Sequence, residues 1–529
     1  MLAYFVITPI LIAVFLYFFS DKLGRIISII AQIALSIAAF YLFYRTQSEE
    51  ILTNVGNFRG YSGIYLRADS LSAVFVLLTA LVFLFTAVYS FHDKYTRLFW
   101  FLLFIWQGAL VGLFLTRDFF NIFVLIEVST IVVAVLLMYI HGKRNMYDGV
   151  VFLMSNIVAV QFYLFGLGYL YMLTGVLDME AAGRAVAVMD SSQLFLPYAL
   201  LMTSLAFKCA IIPLSSWIVK VAAVPRAPVP IAAILSAIHV KVGLYLFIRF
   251  QDVFAPIAAN EFFLVIGIIT GFFGVVKALA QRDIMLILAY SSVAQVGLII
   301  VGISQGGEYA MAGALYHIIN HALFKAALFF SAGMIVQKYN TRNIVEICGL
   351  LKNERFLSIA TFLSILGIIG APFFNGSISK YFMAAYADPL VFGAMTVINL
   401  GTITVFIKYS KILLGTAPAA ITSATHAPPD RCKQSVIMIL ALLCLAFGVM
   451  GRELVEVLFG MNVNISLQGY IEKAVIFVVS IVVGLVIVRL LKFRDPLPAI
   501  ASKTEMSFRG IAASMGAFFA IILLVVSIL

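Results

Sequence analysis

Residues 309–337 read YAMAGALYHIINHALFKAALFFSAGMIVQ. The run is apolar and long enough to cross a hydrocarbon core about 30 Å thick as one helix. It nevertheless carries two histidines and a lysine. In a helix, His317, His321 and Lys325 fall at i, i+4 and i+8 and form one stripe. Each step climbs about 6 Å. Imidazole titrates near neutrality, so two imidazoles and an amine at this spacing can pass protons through bridging waters. Metal binding by the two histidines is the weaker reading, because no carboxylate or cysteine shares the face to complete a site. A charge at mid-bilayer costs roughly 2.5–3.5 kcal/mol unless paired or hydrated, so such residues are expected to be functional.

The same pattern extends outward from this stretch. Of 529 residues, 63% are hydrophobic and 11% charged, and the mean hydropathy is +1.10. A soluble domain is about half apolar and a quarter charged. The chain therefore reads as an all-α polytopic membrane protein with about 16 transmembrane helices. A helix satisfies its own backbone groups in lipid, which is why helices are expected throughout. The first span, 2–20, has no basic region before it and reads as a retained helix. Cys209, Cys348, Cys432 and Cys444 are far apart, with no CxxC or zinc spacing, so no disulfide framework or metal centre is expected.

The net charge of +11 sorts by loop. Of 35 basic residues, 22 fall in loops after odd-numbered spans. These include Lys143, Arg144, Lys220, Arg226, Arg282, Lys492, Arg494 and Lys503. Eight, among them Arg45, Arg59, Arg67, Arg117 and Lys473, follow even-numbered spans. The positive-inside rule places the richer side in the cytoplasm of a cell membrane, with both termini outside. This assigns the basic balance to topology, so no nucleic-acid partner is expected. Five lysines remain within spans: Lys208, Lys241, Lys325, Lys380 and Lys408.

An internal repeat is also expected. Residues 116–131, TRDFFNIFVLIEVSTI, and 281–296, QRDIMLILAYSSVAQV, each begin a helix with Arg-Asp. The same offset of 165 carries Pro213 in span 194–219 to position 378, beside a second helix-breaking run at Gly370-Ala371-Pro372-Phe373-Phe374-Asn375-Gly376 in span 356–385. The reading is two inverted five-helix repeats, each with a broken helix, the architecture of ion-coupled transporters. The expected boundaries are 1–95 for three N-terminal helices, 96–255 for the first repeat, 256–415 for the second and 416–529 for the C-terminal helices.

Glu127 sits about 13 Å into span 119–140, and it is expected to face Lys208, which precedes Pro213. A purely structural ion pair is the alternative. Lys380 follows the second break and Lys241 sits mid-span. His239, two residues from Lys241, points elsewhere and reads as structural. Accessory candidates are Asp69, which also reads as a helix cap, and Lys408, close enough to its helix end to snorkel to the cytoplasmic face. No phosphate-binding loop, nucleophile triad or redox motif appears. No catalytic residue and no cofactor is expected, and the energy source is expected in partner subunits or an ion gradient.

These residues resemble the antiporter-like family shared by proton-pumping subunits of respiratory complex I, Mrp sodium/proton antiporters and membrane-bound hydrogenases. The resemblance covers roughly 55–415. It runs from Gly63-Ile64-Tyr65-Leu66-Arg67-Ala68-Asp69 through Arg117-Asp118 with Glu127 to Phe207-Lys208-Cys209-Ala210-Ile211-Ile212-Pro213 with Trp217. It continues with Lys241-Val242-Gly243, Asp283 with Leu288-Ala289-Tyr290-Ser291-Ser292, the His317–Lys325 run, and Gly370-Ala371-Pro372 with Gly376 and Lys380. It implies a fifth-helix glutamate at Glu127, a seventh-helix lysine partner at Lys208 and an eighth-helix lysine at Lys241. It further implies a relay at His317, His321 and Lys325, and a terminal site at Lys380 that exchanges with the periplasm. The implied function is a proton-translocating subunit moving protons along a central Glu/Lys/His axis. Its implied partners are other membrane subunits, protons and, as a second ion, sodium. The chain departs from the family at Met285-Leu286, where many members carry two basic residues. It also departs at Ser215-Ser216-Trp217-Ile218-Val219, often His-x-Trp-Leu-Pro, and at Pro372-Phe373 and Gly376-Ser377. A standalone solute transporter and a non-conducting membrane anchor of a redox complex are the competing readings. The last three spans lie outside the match and are expected to pack against neighbouring subunits.

Overall fold

The computed structural model describes residues 1–56, 63–224, 227–415, 430–491 and 506–528. The loop cations Arg59, Arg226, Lys492, Arg494 and Lys503 lie outside them, and no side chain is described at position 223. Thirteen helices among the described residues are long and apolar enough to cross a membrane. Helix Leu2–Leu16, at 15 residues, is shorter, and the expected spans 194–219 and 356–385 are both interrupted. The chain divides into two compact units, 1–262 with 506–529, and 263–505.

The first unit contains α1 (Leu2–Leu16), α2 (Asp21–Thr46), α3 (Ser70–Tyr89), α4 (Arg97–Leu115), α5 (Phe119–Leu137) and α6 (Lys143–Thr174). Next come α7 (Met179–Val186), α8 (Ser191–Lys208), α9 (Ser216–Ala223) and α10 (Val229–Val253). An all-helical chain is nearly correct. Among the described residues the exception is an antiparallel hairpin, β1 (Ile51–Val55) with β2 (Ile64–Ala68), paired from Ile51–Ala68 to Val55–Ile64. Its strands are too short to register as spans, and its alternation is masked by the apolar background. The amphipathic α7 is missed for the same reason. Helix α10 is buried all round and contains a π-helical turn, Leu235–His239, a feature that often marks a functional site.

The second unit contains α11 (Asn260–Ala280), α12 (Ile284–Ser304), α13 (Glu308–Tyr339), α14 (Arg355–Ile369) and α15 (Asn375–Ala384). It continues with α16 (Pro389–Leu413), α17 (Arg431–Val449), α18 (Gly451–Phe459) and α19 (Leu467–Leu490). The expected span 435–459 is thus two helices. The last helix, α20 (Phe508–Ile528), returns to the first unit and packs on α8 and α6, with Phe519 5.7 Å from Phe162. Helix α17 packs on α14 and α13. Of the three C-terminal spans, α19 is the least buried, at 17%, followed by α20 at 28% and α17 at 44%.

Aspartates head many helices. Asp69, Asp118, Asp178, Asp190, Asp283, Asp388 and Asp430 each accept from backbone amides of the following first turn. A cap of this type contributes about 1 kcal/mol. The two Arg-Asp turns are built alike. Asp118 bridges to Asp178, and Asp283 bridges to Asn343, the same partner position 165 residues later. The cations differ: Arg117 pairs with Asp178, whereas in the second turn Arg342 pairs with Asp283.

Candidate functional site

Each unit builds its polar interior around a broken helix. In the first, α8 stops at Lys208 and the chain turns through Ala210, at φ 58°, before α9 begins. The break exposes carbonyls to be satisfied inside the protein. Trp217 Nε1 donates to Phe207 O at 2.6 Å. Gly243 on α10 lets that helix approach: a Cβ there would lie 2.7 Å from Cys209 N. Lys208, 4% exposed, donates to Asn156 Oδ1 at 2.7 Å and Thr130 Oγ1 at 3.2 Å. Glu127 lies one turn before Thr130 on α5 and is half-buried. Its charge acts on Lys208 without a direct ion pair.

Lys241 is fully buried and donates to Ser236 O within the π-helical turn. That turn presents a carbonyl to the amine that a regular helix would have occupied. The His239 ring is buried and stands 5.9 Å from both Trp106 and Trp217. Two residues apart on a helix means opposite faces. Because α10 is enclosed on every side, the opposite face is also interior. The π turn and the all-round apolar character of this span were the available signals.

In the second unit the His317–Lys325 stripe lies on α13, with all three side chains buried. The stripe ascends along α12. Lys325 donates to Leu288 O and Ser291 Oγ, and His317 Nε2 donates to Gln295 Oε1 at 2.9 Å. Leu298 lines the cavity beside Lys380. With Nε2 donating, a neutral His317 accepts at Nδ1 from Ser379 Oγ, 2.8 Å away. The same hydroxyl can instead donate to Asn375 O at 3.1 Å. His321 lies between, its ring edge-on to Phe324 at 5.5 Å.

Lys380 follows Ser379 on α15 and is partly buried. It reaches back across the second break to Ile368 O at 2.8 Å and across to Asn399 Oδ1 at 2.7 Å. A cavity of about 70 Å³ beside it is lined by Ser377, Thr396, Asn399 and Lys473. That volume holds a few waters. The sequence reading did not single out Gln295, Ser379, Asn399 or Lys473.

Two accessory candidates have structural duties. Asp69 caps α3 through Ser72 and pairs with Arg249. Burial works against its charge, but the Arg249 guanidinium and the Ser72 amide hold its carboxyl below the ordinary range. Lys408 does not snorkel. It is 5% exposed and donates to Leu279 O at 2.8 Å and to Gln281 O, tying off the last turn of α11.

Residues 116–407 match the family described as NADH:quinone oxidoreductase/Mrp antiporter, transmembrane. A Na(+)/H(+) antiporter subunit of Alkalihalophilus pseudofirmus is 29% identical over 420 residues, covering 76% of this chain and 84% of that protein. An NADH-quinone oxidoreductase subunit of Desulforudis audaxviator is 30% identical over 412 residues, covering 73% and 81%. Among solved structures, a chain of the Mrp complex from Dietzia sp. DQ12-45-1b shares the fold. Its TM-score is 0.79 at 22% identity, over 90% of this chain and 99% of that one.

Proposed function

This chain belongs to the NADH:quinone oxidoreductase/Mrp antiporter transmembrane family, and from that premise we propose that it is a proton-translocating subunit of a multisubunit cation/proton antiporter or redox-driven ion pump. Protons move along Glu127, Lys208, Lys241, Lys325, His321, His317 and Lys380, in two inverted repeats spanning 96–255 and 256–415. Uptake is from the cytoplasmic face and release is at Lys380, with both termini outside.

One observation carries this reading. The ammonium groups of Lys208 and Lys380 are held by neutral oxygens, those of Asn156, Thr130, Asn399 and Ile368. A buried ion pair locks a charge in place, and removing either partner is strongly destabilising. Neutral acceptors instead leave an amine able to exchange its proton as the charges around it change. Glu127, near Lys208 but not bonded to it, supplies such a movable charge. The 70 Å³ beside Lys380 suits a few waters.

The test is proton movement by the complex reconstituted in vesicles. Lys208→Ala and Lys380→Ala are each expected to abolish it while the complex still assembles. Wild-type rates in both variants would sink the mechanism. Mass spectrometry of the purified assembly then separates the two drives. Quinone-reducing or hydrogenase-like partners mean a redox pump, and their absence means an antiporter.

A further inference from the structure

The two helix breaks are built alike at a step of 160 residues. Ile211 N donates to Ala206 O as Ala371 N donates to Leu366 O, and Leu214 N donates to Ile211 O as Phe374 N donates to Ala371 O. Ala210, at φ 58°, matches Gly370, at φ 75°. The same step carries Lys220 on α9 to Lys380 on α15. Sequence reading counts Lys220 as a loop charge. In the structure it is helical and 3% exposed, and nothing in the function above uses it.

The two lysines lean differently for an electrostatic reason. Lys380 reaches back across its break to Ile368 O. The position 160 residues before Ile368 is Lys208. An ammonium reaching back there would meet a like charge. Lys220 lies instead 5.8 Å from the ring centre of Tyr147, near the start of α6, on the side of the basic loop that carries Lys143 and Arg144. Along α6, Tyr147 marks Lys220. Phe152 faces Trp217 at 6.0 Å, and Asn156 holds Lys208. Nine residues of helix span about 13 Å.

That interval contains buried polar atoms with no protein partner among the described residues: Ser155 Oγ, Ser216 Oγ and Asp148 Oδ1, whose other carboxylate oxygen accepts from Arg144. Ser216 is one turn before Lys220, and Ser155 adjoins Asn156. Buried polar groups are normally satisfied, by water where protein does not reach them.

We propose that Lys220 is the proton-loading group at the basic-loop end of the first unit, upstream of Lys208. Its Nζ gives a proton to a water that reaches Lys208 and takes one up again from the hydrated face at the start of α6. Only N–H and O–H bonds form and break. The inference rests on the proton-translocation reading above. A plain cation–π anchor on Tyr147 is the competing role, and arginine fills that role as well as lysine does.

The experiment compares Lys220→Gln, Lys220→Arg and Lys208→Ala in the reconstituted complex. Loss of a proton-transfer group lowers the rate by about a hundredfold or more, and that loss is expected in Lys220→Gln. Arginine keeps the charge and the ring contact but does not release a proton, so Lys220→Arg is expected to assemble and stay equally slow. Full transport in Lys220→Arg assigns an anchoring role and overturns the proposal, as does full transport in Lys220→Gln. If Lys220→Gln does not assemble, Lys220→Arg decides alone. If neither assembles, the residue is structural and the proposal fails. Wild-type transport in Lys208→Ala defeats the underlying reading instead, whatever the Lys220 variants do.

Discussion

The two broken helices solve one problem with different chemistry. Around the first, the buried amine meets an amide, a hydroxyl and a carboxylate one turn away. Around the second, hydrogen bonds join Lys325 to Ser291 and, separately, His317 to Gln295 and Ser379; Lys380 follows Ser379 in sequence. The first is organised by charges at a distance, the second by hydrogen bonds in contact. A charge-organised site responds to what happens elsewhere, because Coulomb forces reach beyond contact. Hydrogen-bonded groups respond locally, to which hydroxyl or ring nitrogen holds the proton.

The most severe way to break this comparison is to push a helix off its break. Gly448 on α17 lies against the second break, where a Cβ would fall 2.0 Å from Phe373 O. Gly243 is the counterpart on the first, with 2.7 Å to Lys208 C. Overpacking costs about 1–3 kcal/mol and occasionally more. Gly448→Ala is expected to exceed that range and abolish assembly. Gly243→Ala is expected to assemble with reduced yield. Size-exclusion profiles of the two complexes check the order.

Next in size are effects on transport. Glu127→Gln removes the distant charge and leaves every contact of Lys208 intact. It is expected to slow proton movement about a hundredfold, the scale of a lost proton-transfer group. Ser379→Ala removes one hydrogen-bonding group whose place water can take, so about tenfold is expected. Equal losses in the two variants, measured in vesicles, would erase the distinction between the units.

Much of this was legible before the structure, and the omissions have physical causes. The stripe His317, His321, Lys325 and both breaks are local features, set by helical spacing and by the helix-breaking residues around Pro213 and Pro372. Gln295, Ser379 and Asn399 were invisible because neutral polar residues in apolar helices carry no positional signal; they matter only through contacts over long sequence separations. Lys220 was misplaced because a break at Pro213 does not reveal how far the restarted helix runs, and a span drawn to 219 puts residue 220 past its end. The break restarts the helix and carries the lysine inside. Lys408 was misread as snorkelling because end-of-helix position does not reveal the carbonyls of another helix.

Lys408 supplies a smaller effect that isolates stability from transport. Lys408→Met leaves Leu279 O and Gln281 O without their donor. An unsatisfied buried acceptor costs about 1–3 kcal/mol. Thermal stability of the purified complex is expected to fall by an amount in that range, with proton movement per assembled complex unchanged. A transport loss matching that of Lys380→Ala would return Lys408 to the conducting path.

The smallest effect compares two caps, one in each unit. Asp69 is 12% exposed and pairs with Arg249. Asp283 is 28% exposed and pairs with Arg342. A pair gains as water is excluded from it, from under about 1 kcal/mol at a surface to several when buried. Asp69→Asn is therefore expected to destabilise the protein by about 1–2 kcal/mol and Asp283→Asn by less than about 1 kcal/mol. The pH dependence gives a second check on Asp69, whose carboxyl is held below the ordinary range in the folded protein. A depressed folded value means that the carboxylate's stabilisation is complete above the unfolded pKa, about 3.9, and is lost as pH falls through the lower folded value. The stability gap between wild type and Asp69→Asn should then be constant from pH 7 to about pH 5 and shrink only below about pH 4. A gap that already narrows near neutrality would mean that Asp69 exchanges protons in the working range, and would move it from a cap to a member of the conducting set.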